Sequence, residues 1–403
     1  MKSIFGFLLA LGSLPLFCRA AAPPAEQLLP VDTLVVFTVP DWQKATNGYS
    51  QWPVVQFWES AEMKLFRDKF QTKFAAEAVA PLEKELGVKL ADYTALIQGQ
   101  FTFALTQNGW TGKAGHEPGV VLLIDTKDKS AMLQQKLADL KKRWVDSGKQ
   151  VKTEKVRDVE FTTLILPGED LAKALKKAFP SNQKTPAAGG AGGQKAADKI
   201  EITVGQSGSL LLVGNDPKVF EKILVRLSGG SVPYLGEVAT YAANHTAMFR
   251  EAAAYAWANF RILGDILIQQ ATEKGASGAP QNPLAPQADK VMQAIGIRAL
   301  ETLAFSIDQS PQGLLAHAFV GVPETNRRGL FKVLVGEAKE TAPPPFVSAE
   351  VVKYTRWRLD GKKLWASVEA LVTEISPGIG GMMQMTLDTL DKAGKEKDPS
   401  FDL

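Results

Sequence analysis

The order of apolar patterns along this chain occurs twice, and this internal repeat most limits the folds that the chain can adopt. A continuous apolar run, Leu34–Val39, precedes helical periodicity, and the same order recurs at Ala252–Asn259 and Phe260–Gln270. The stretch LGVKLADYTALIQGQFTFAL at Leu86–Leu105 is echoed by IGIRALETLAFSID at Ile295–Asp308. The repeat predicts an α+β protein of two tandem divergent units, with antiparallel sheets and helices packed on them.

This repeat sets the predicted domain boundaries. Residues 21–28 form a short leader, residues 29–235 the first α+β unit, and residues 236–376 the second unit. Residues 377–403 contain a C-terminal helix and a tail, which we interpret as the truncated start of a third unit. The alternative is that Met382–Leu390 packs back on the second unit.

Two segments of low complexity interrupt the units. Pro180–Lys199 reads PSNQKTPAAGGAGGQKAADK, and Gly275–Gln287 has a similar bias toward small residues and proline. Such a composition buries too little apolar surface to offset the entropy lost on ordering. We therefore predict a disordered surface loop at residues 180–199 of the first unit and a second loop at residues 275–287 of the second unit.

The N-terminal residues predict export. Lys2 precedes an apolar stretch, Ile4–Phe17, and small residues follow at Cys18–Ala22. This order is typical of a secretory signal peptide, here residues 1–20 with cleavage near Ala20, and it places the protein in the periplasm or outside the cell. A membrane-spanning helix needs about 20 apolar residues, whereas this run is shorter and is interrupted by Pro15.

Cleavage removes the single cysteine, Cys18, so the mature chain has no disulfide, thiol nucleophile or thiolate metal site. Removing Lys2 and Arg19 from the 46 basic residues leaves 44, against 43 acidic residues. This balance gives no reason to expect nucleic acid or an anionic membrane as a partner. The best remaining apolar stretch, Ala252–Ile268, contains an arginine and an aspartate, so no transmembrane segment is predicted in the mature chain.

The known catalytic spacings are missing from this sequence. His116, His245 and His317 stand far apart, so no pair has the spacing of a zinc-binding helix. Gly205–Ser209 resembles a nucleophile elbow, but it connects two predicted strands and is better interpreted as a hairpin turn. Trp110–Lys113 resembles the end of a phosphate loop, but Ala114 follows where a hydroxyl is needed and no spaced glycine precedes the segment. The sequence therefore assigns no catalytic, cofactor-binding or metal-binding residue.

Several aspartates stand at predicted strand ends, where two interpretations compete. Asp125 and Asp308 end strands, a position that suits acid–base chemistry. Asp125 also fits the cap of a following helix, as do Asp41 and Asp216, because a carboxylate accepts hydrogen bonds from the free N–H groups of a first turn. We predict that Asp41, which follows Pro40, caps a helix.

Aromatic and charged clusters also allow two interpretations each. Trp42, Trp52 and Trp58 suit either a carbohydrate-stacking platform or, more commonly, the anchoring of helices to a sheet. A helix with an aromatic stripe is predicted from the spacing of Met63, Phe66, Phe70 and Phe74.

Three further sequence patterns are interpreted without assigning them a binding or catalytic role. The charged residues of Lys127–Arg157 are interpreted as a solvated helix face. Asn244-His245-Thr246 is a glycosylation sequon by pattern alone. Met382, Met383 and Met385 are interpreted as a packing face.

Two stretches carry a family resemblance. LLPVDTLVVFTVPD at residues 28–41 and GVKLADYTALIQGQ at residues 87–100 resemble exported bacterial proteins grouped as a domain-of-unknown-function family. The resemblance extends in pattern over most of the mature chain. It implies an exported α+β repeat protein, and it carries over no catalytic residue.

The absence of catalytic patterns favours an exported non-catalytic binding or scaffolding protein, with an envelope protein or polysaccharide as partner and no cofactor. The alternative is a secreted hydrolase whose active site is scattered in sequence, so the sequence leaves the question of enzymatic activity open. A concave pocket with converging acids, or an acid beside a histidine, favours the hydrolase. A flat or groove-like sheet face with exposed aromatic side chains favours the binding protein.

Overall fold

A computed structural model gives the structure of the protein. It describes residues 22–50, 52–113, 116–168, 199–276, 296–310, 313–327, 343–348, 350–351 and 361–398, with residues 291, 294 and 331 as isolated positions. The predicted signal peptide lies outside the described residues, as do residues 180–198 and most of the second predicted loop. Lys199, the last residue of the first predicted loop, is described and begins a strand.

The strands form one antiparallel sheet of ten. Their bounds are β1 Thr33–Val39, β2 Phe101–Thr106, β3 Gly119–Asp125, β4 Gln150–Val156, β5 Val159–Pro167, β6 Lys199–Ser207, β7 Leu210–Gly214, β8 Ala254–Asn259, β9 Thr302–Ser310 and β10 Gly313–Gly321. The order across the sheet is β10-β9-β8-β1-β2-β3-β7-β6-β5-β4. The predicted α+β class with antiparallel pairing is confirmed, and strands from both predicted units belong to the same sheet.

Helices lie before, between and after the strands. Their bounds are α1 Ala25–Leu28, α2 Trp42–Tyr49, α3 Pro53–Glu59, α4 Lys64–Phe74, α5 Ala80–Leu86, α6 Leu90–Thr94, α7 Ser130–Asp146, α8 Pro217–Leu227, α9 Ala239–Asn244, α10 Phe260–Ala276, α11 Gly361–Ile375 and α12 Pro377–Lys397. Two π-helical stretches extend α4 and α9, at Ala75–Val79 and His245–Phe249. Among the described residues, none of the helices has the length and apolar character needed to cross a bilayer.

Side chains at the helix ends explain where several helices begin and end. The Asp41 carboxylate accepts a hydrogen bond from the Lys44 N–H at 2.9 Å, so the predicted cap is confirmed. Asp216 caps α8 in the same way, with Pro217 in the first turn. Gly87 ends α5 with a φ of 65°, a left-handed conformation that glycine adopts without the steric cost of a Cβ.

Helices cover both faces of the sheet because the strand side chains alternate. Leu210 and Leu212 of β7 join the larger core cluster, to which α1 and α8 also contribute, whereas Leu211 between them belongs to a second cluster with Leu133 of α7. This alternation has the period of two that a β-strand imposes. The core therefore has two layers of helices with the sheet between them.

The predicted leader contains helix α1, which buries Ala25 and Leu28 in the larger core. Two sequence predictions are wrong within the described residues. The charged segment 127–157 is not one helix face, since its last residues form the edge strand β4. Met382 and Met385 are 69% and 72% exposed on α12, so they do not form a packing face. Local charge and methionine content do not specify which neighbours a segment meets.

Candidate functional site

A pocket of about 390 Å³, lined by several titratable side chains, lies beside the N-terminal segment. The strand order brings its walls together, because β1 and β3 both pair antiparallel with β2 and their C-terminal ends therefore lie on the same side of the sheet. β8 pairs antiparallel with β1 and begins on that side. The titratable residues that line the cavity are Glu26, Asp41, Asp125, Lys127, His245, Arg250 and Tyr255.

A histidine and a carboxylate meet on one side of this pocket. The Glu26 Oε1 atom of α1 lies 3.5 Å from His245 Nε2, at the start of the π-helical stretch after α9. Its other oxygen accepts a hydrogen bond from the Tyr255 hydroxyl at 3.3 Å, and Tyr241 donates to Tyr255 at 3.1 Å. Burial raises the pKa of both tyrosines, and nearby Glu26 adds to the shift, so both hydroxyls are protonated at neutral pH.

Asp125 is held in the wall of the pocket. Its Oδ1 atom accepts hydrogen bonds from the Ser209 hydroxyl at 2.7 Å and from the Lys127 N–H at 3.0 Å. Its Oδ2 atom lies against Gly99, where a Cβ would overlap the carboxylate. The glycine therefore lets a buried carboxylate approach the backbone closely. Lys127 has a φ of 43°, an uncommon conformation that brings its side chain back toward β1.

Asp41 has a second role besides its cap. The Lys127 Nζ atom lies 3.1 Å from Asp41 Oδ2. Partial burial alone raises the pKa of Asp41, but the hydrogen bond from Lys44 N–H and the Lys127 ammonium group together hold it below its usual value. The carboxylate is thus charged at neutral pH and paired at the mouth of the pocket.

The pocket brings together three residues that the sequence treated separately: Asp41, Asp125 and His245. Sequence reasoning missed Glu26 and Tyr255, because the first lay in the predicted leader and the second in an apolar run. The only available signal was the apolar spacing of Ala25, Leu28 and Leu29, which predicts that this segment packs. Among the described residues, no three His, Cys, Asp or Glu side chains form a group that holds a metal ion.

The other sequence candidates lie elsewhere. His317 contacts Asp308 at 3.4 Å on β10 and β9, at the end of the sheet order, and His116 lies in the loop before β3. Asn244 is 4% exposed, so the sequon is buried in the folded chain. A glycan on this side chain is therefore incompatible with the fold.

A larger groove of about 970 Å³ runs between α7 and the outer surfaces of β5 and β6. The Lys141 Nζ atom of α7 reaches Glu160 Oε1 of β5 at 2.7 Å. Leu137 and Trp144 provide its apolar wall. Because this ion pair joins the two sides of the groove, the groove is better explained as the contact between a helix and the sheet than as a reactive site.

Exposed aromatic rings form a second candidate region, which we call the aromatic arm and define as residues 53–74, α3 and α4 with their connection. Trp58 packs edge-on against Phe66 and Phe70 at centroid distances of 5.9 and 5.8 Å. Phe70 stacks on Phe66 at 6.3 Å and on Phe74 at 6.0 Å. These three phenylalanines remain 58%, 50% and 45% exposed. The predicted aromatic stripe is confirmed, but it faces solvent.

Comparisons of the chain with family models, with curated proteins and with solved structures found no match. The resemblance to an exported domain-of-unknown-function family stays a prediction. The pocket and the aromatic arm are the two candidate functional features among the described residues.

Proposed function

We propose that this chain is an exported binding protein of the cell envelope or exterior, which docks a partner protein through its aromatic arm. The observation that carries the proposal is the line of Phe66, Phe70 and Phe74 on α4, whose rings stack on one another and remain about half exposed. Contiguous exposed apolar surface on a soluble protein marks an interaction site.

The spacing of these rings suits a partner with an apolar groove. Residues four apart lie on one face of a helix, so the three phenylalanines form one line along α4. A helix that presents such a line is recognised by a groove that takes one ring per turn. Burying the exposed part of three rings, on the order of 300 Å², contributes roughly 7 kcal/mol before the cost of association.

Polar contacts hold the arm ready for binding. The Arg67 Nη1 atom donates to the Trp58 carbonyl oxygen at 2.8 Å, which ties α3 to α4 and fixes the indole against the rings. Lys64 pairs with Asp68 at 2.7 Å on the polar side of the helix. Because the aromatic line is already ordered in the free protein, binding costs little additional side-chain entropy.

Site-specific photo-crosslinking tests this proposal. A benzoylphenylalanine at position 70 should crosslink one partner protein, whereas the same group at Gln71, the exposed polar neighbour, should not. The purified partner should then bind Phe70→Ser at least tenfold more weakly than the wild type, with Gln71→Ser as the control. Equal crosslinking from both positions, or unchanged affinity of Phe70→Ser, would overturn the proposal, as would binding of lipid vesicles in place of a protein.

A hydrolase is the second candidate, and the contact between Glu26 and His245 favours it. In this scheme His245, oriented by Glu26, takes a proton from a water molecule that attacks an ester and passes it to the leaving alcohol. Lys127 and Arg250 supply positive charge for an acidic substrate. Activity against an ester panel that falls at least a hundredfold in His245→Gln, and is unchanged in His116→Gln, supports it. Equal activity in the two variants excludes this role.

We infer that the sheet consists of two tandem divergent units related about the β1–β8 pair. From this pair, β1-β2-β3 and β8-β9-β10 extend outward in the same antiparallel order, which supports the inference. The first helical N–H after β1, that of Trp42, bonds the Gly99 carbonyl before β2, and the Phe260 N–H after β8 bonds the Glu301 carbonyl before β9, both at 2.8 Å.

Fragment complementation tests the two-unit inference. Residues 21–235 and 236–403, refolded together, should recover the near-ultraviolet circular dichroism of the intact chain. Fragments that stay separate and unfolded would count against two units that pair through β1 and β8.

Export is tested separately. The mature protein should show a new N-terminus near Ala21 by mass spectrometry. An N-terminus at Met1 in the cell-associated protein would contradict export by cleavage.

A further inference from the structure

The two ends of the sheet differ in a way that points to a second copy of this chain. β4 carries charged side chains at Lys152, Glu154 and Lys155, which discourage pairing with another strand. β10 reads GLLAHAFVG and contains no Asp, Glu, Lys or Arg. Leu315–Val320 is exposed, and in the part of the chain that the structure describes Leu314–Val320 pairs with β9 alone.

The sequence of β10 reads nearly the same in both directions about His317. Ala316 and Ala318 flank the histidine, followed outward by Leu315 and Phe319. The next positions are again apolar on both sides, and a glycine stands at each end. An antiparallel pair of identical strands places each residue opposite its mirror position, so this strand is complementary to itself in size and polarity.

We propose that β10 pairs antiparallel with β10 of a second copy, with a two-fold axis at His317. Leu315 of one copy then lies opposite Phe319 of the other, and Ala316 lies opposite Ala318. The ten-stranded sheet continues into the sheet of the second copy. This proposal does not depend on the aromatic arm or the pocket.

Neighbouring contacts are compatible with this arrangement. Asp308 Oδ2 lies 3.4 Å from His317 Nε2, so each imidazole has a polar contact within its own chain. Exposed Leu315, Phe319 and Val320 become partly covered. One strand pair is a small interface, so the dimer is expected to dissociate at low micromolar concentration.

Sedimentation of the full chain at concentrations from one to a few hundred micromolar tests the dimer. His317→Lys places two ammonium groups opposite each other at the axis and should weaken the dimer at least tenfold. Thr153→Lys, the same change at the exposed centre of the opposite edge strand β4, should leave it unchanged. A monomer throughout, or a dimer that responds equally to both variants, would overturn the proposal.

Cysteine crosslinking tests the register. In a Cys18→Ser background, His317→Cys places two thiols directly opposite, about 4.5–5.5 Å apart at Cα, within disulfide range. Leu314→Cys places them six residues apart along the pair, about 20 Å, and should not crosslink, whereas Leu314→Cys combined with Val320→Cys should. Crosslinking of Leu314→Cys alone contradicts the two-fold axis at His317. A monomer that instead binds a foreign strand also contradicts pairing with a second copy.

Discussion

The pocket gathers charged groups inside the fold, whereas the aromatic arm exposes apolar rings to solvent. This difference indicates which of the two regions needs a partner. The pocket gathers charged groups, but most of them already have partners within the chain, including Glu26 with His245 and Asp41 with Lys127. In the described part of the chain, the arm exposes aromatic rings that pack on one another. Buried polar groups with internal partners are explained by the fold itself, whereas exposed apolar groups gain free energy only when another surface covers them.

The largest expected effect is in the segment that closes the pocket. Leu29 follows α1 and is fully buried in the larger core, so Leu29→Ala removes buried contacts and leaves a cavity. We expect the free energy of unfolding to fall by about 2–5 kcal/mol. Urea denaturation followed by tryptophan fluorescence measures it. A loss below about 1 kcal/mol would show that the N-terminal segment contributes little to the core.

The tyrosine pair predicts an alkaline limit to stability. Burial raises the pKa of Tyr241 and Tyr255 in the folded chain. The folded state therefore binds protons that the unfolded state releases above about pH 10, and stability falls as pH rises beyond that value. The slope is at most about 1.4 kcal/mol per pH unit for each tyrosine.

Denaturation at pH 9, 10 and 11 measures this slope. The free energy of unfolding of the double variant Tyr241→Phe with Tyr255→Phe should depend less on pH over this range than that of the wild type. Parallel curves for the two proteins would mean that the hydroxyls ionise as freely in the folded chain as in the unfolded one.

Much of the sheet was predictable from sequence, since apolar runs such as Leu34–Val39 and alternation such as Phe101–Thr106 follow from the period of a strand. The caps at Asp41 and Asp216 were predictable because the rule is local. The pocket was not, because Glu26 and Tyr255 stand 229 residues apart and meet only through strand order. The edge strand β4 was also missed, because its charges resemble a solvated helix.

Two substitutions at Asp41 distinguish the stability contributed by the helix cap from that contributed by the ion pair. Asp41→Ala removes both and should lower stability by about 1 kcal/mol, whereas Asp41→Asn keeps the cap and should cost less than half of that. Because the pKa of Asp41 is lowered in the folded chain, its contribution is present above the unfolded pKa and is lost as pH falls through the folded value.

Thermal unfolding of both Asp41 variants at pH 7 and pH 3 checks this. If Asp41→Asn destabilises as much as Asp41→Ala, the ion pair with Lys127 matters more than the cap.

The smallest effect on stability is expected in the aromatic arm. Phe70 contacts Trp58, Phe66 and Phe74, and its side chain is half exposed. Among the described aromatic pairs, none joins the Phe70 ring to a residue of the sheet. Phe70→Ser should therefore lower the free energy of unfolding by about 1 kcal/mol or less. The same variant is expected to lose at least tenfold in partner affinity. A stability loss as large as that of Leu29→Ala would mean that the ring belongs to the core, and the contrast between pocket and arm would disappear. A small loss of stability with a large loss of binding is the combination expected of a docking surface, because its contacts form after folding is complete.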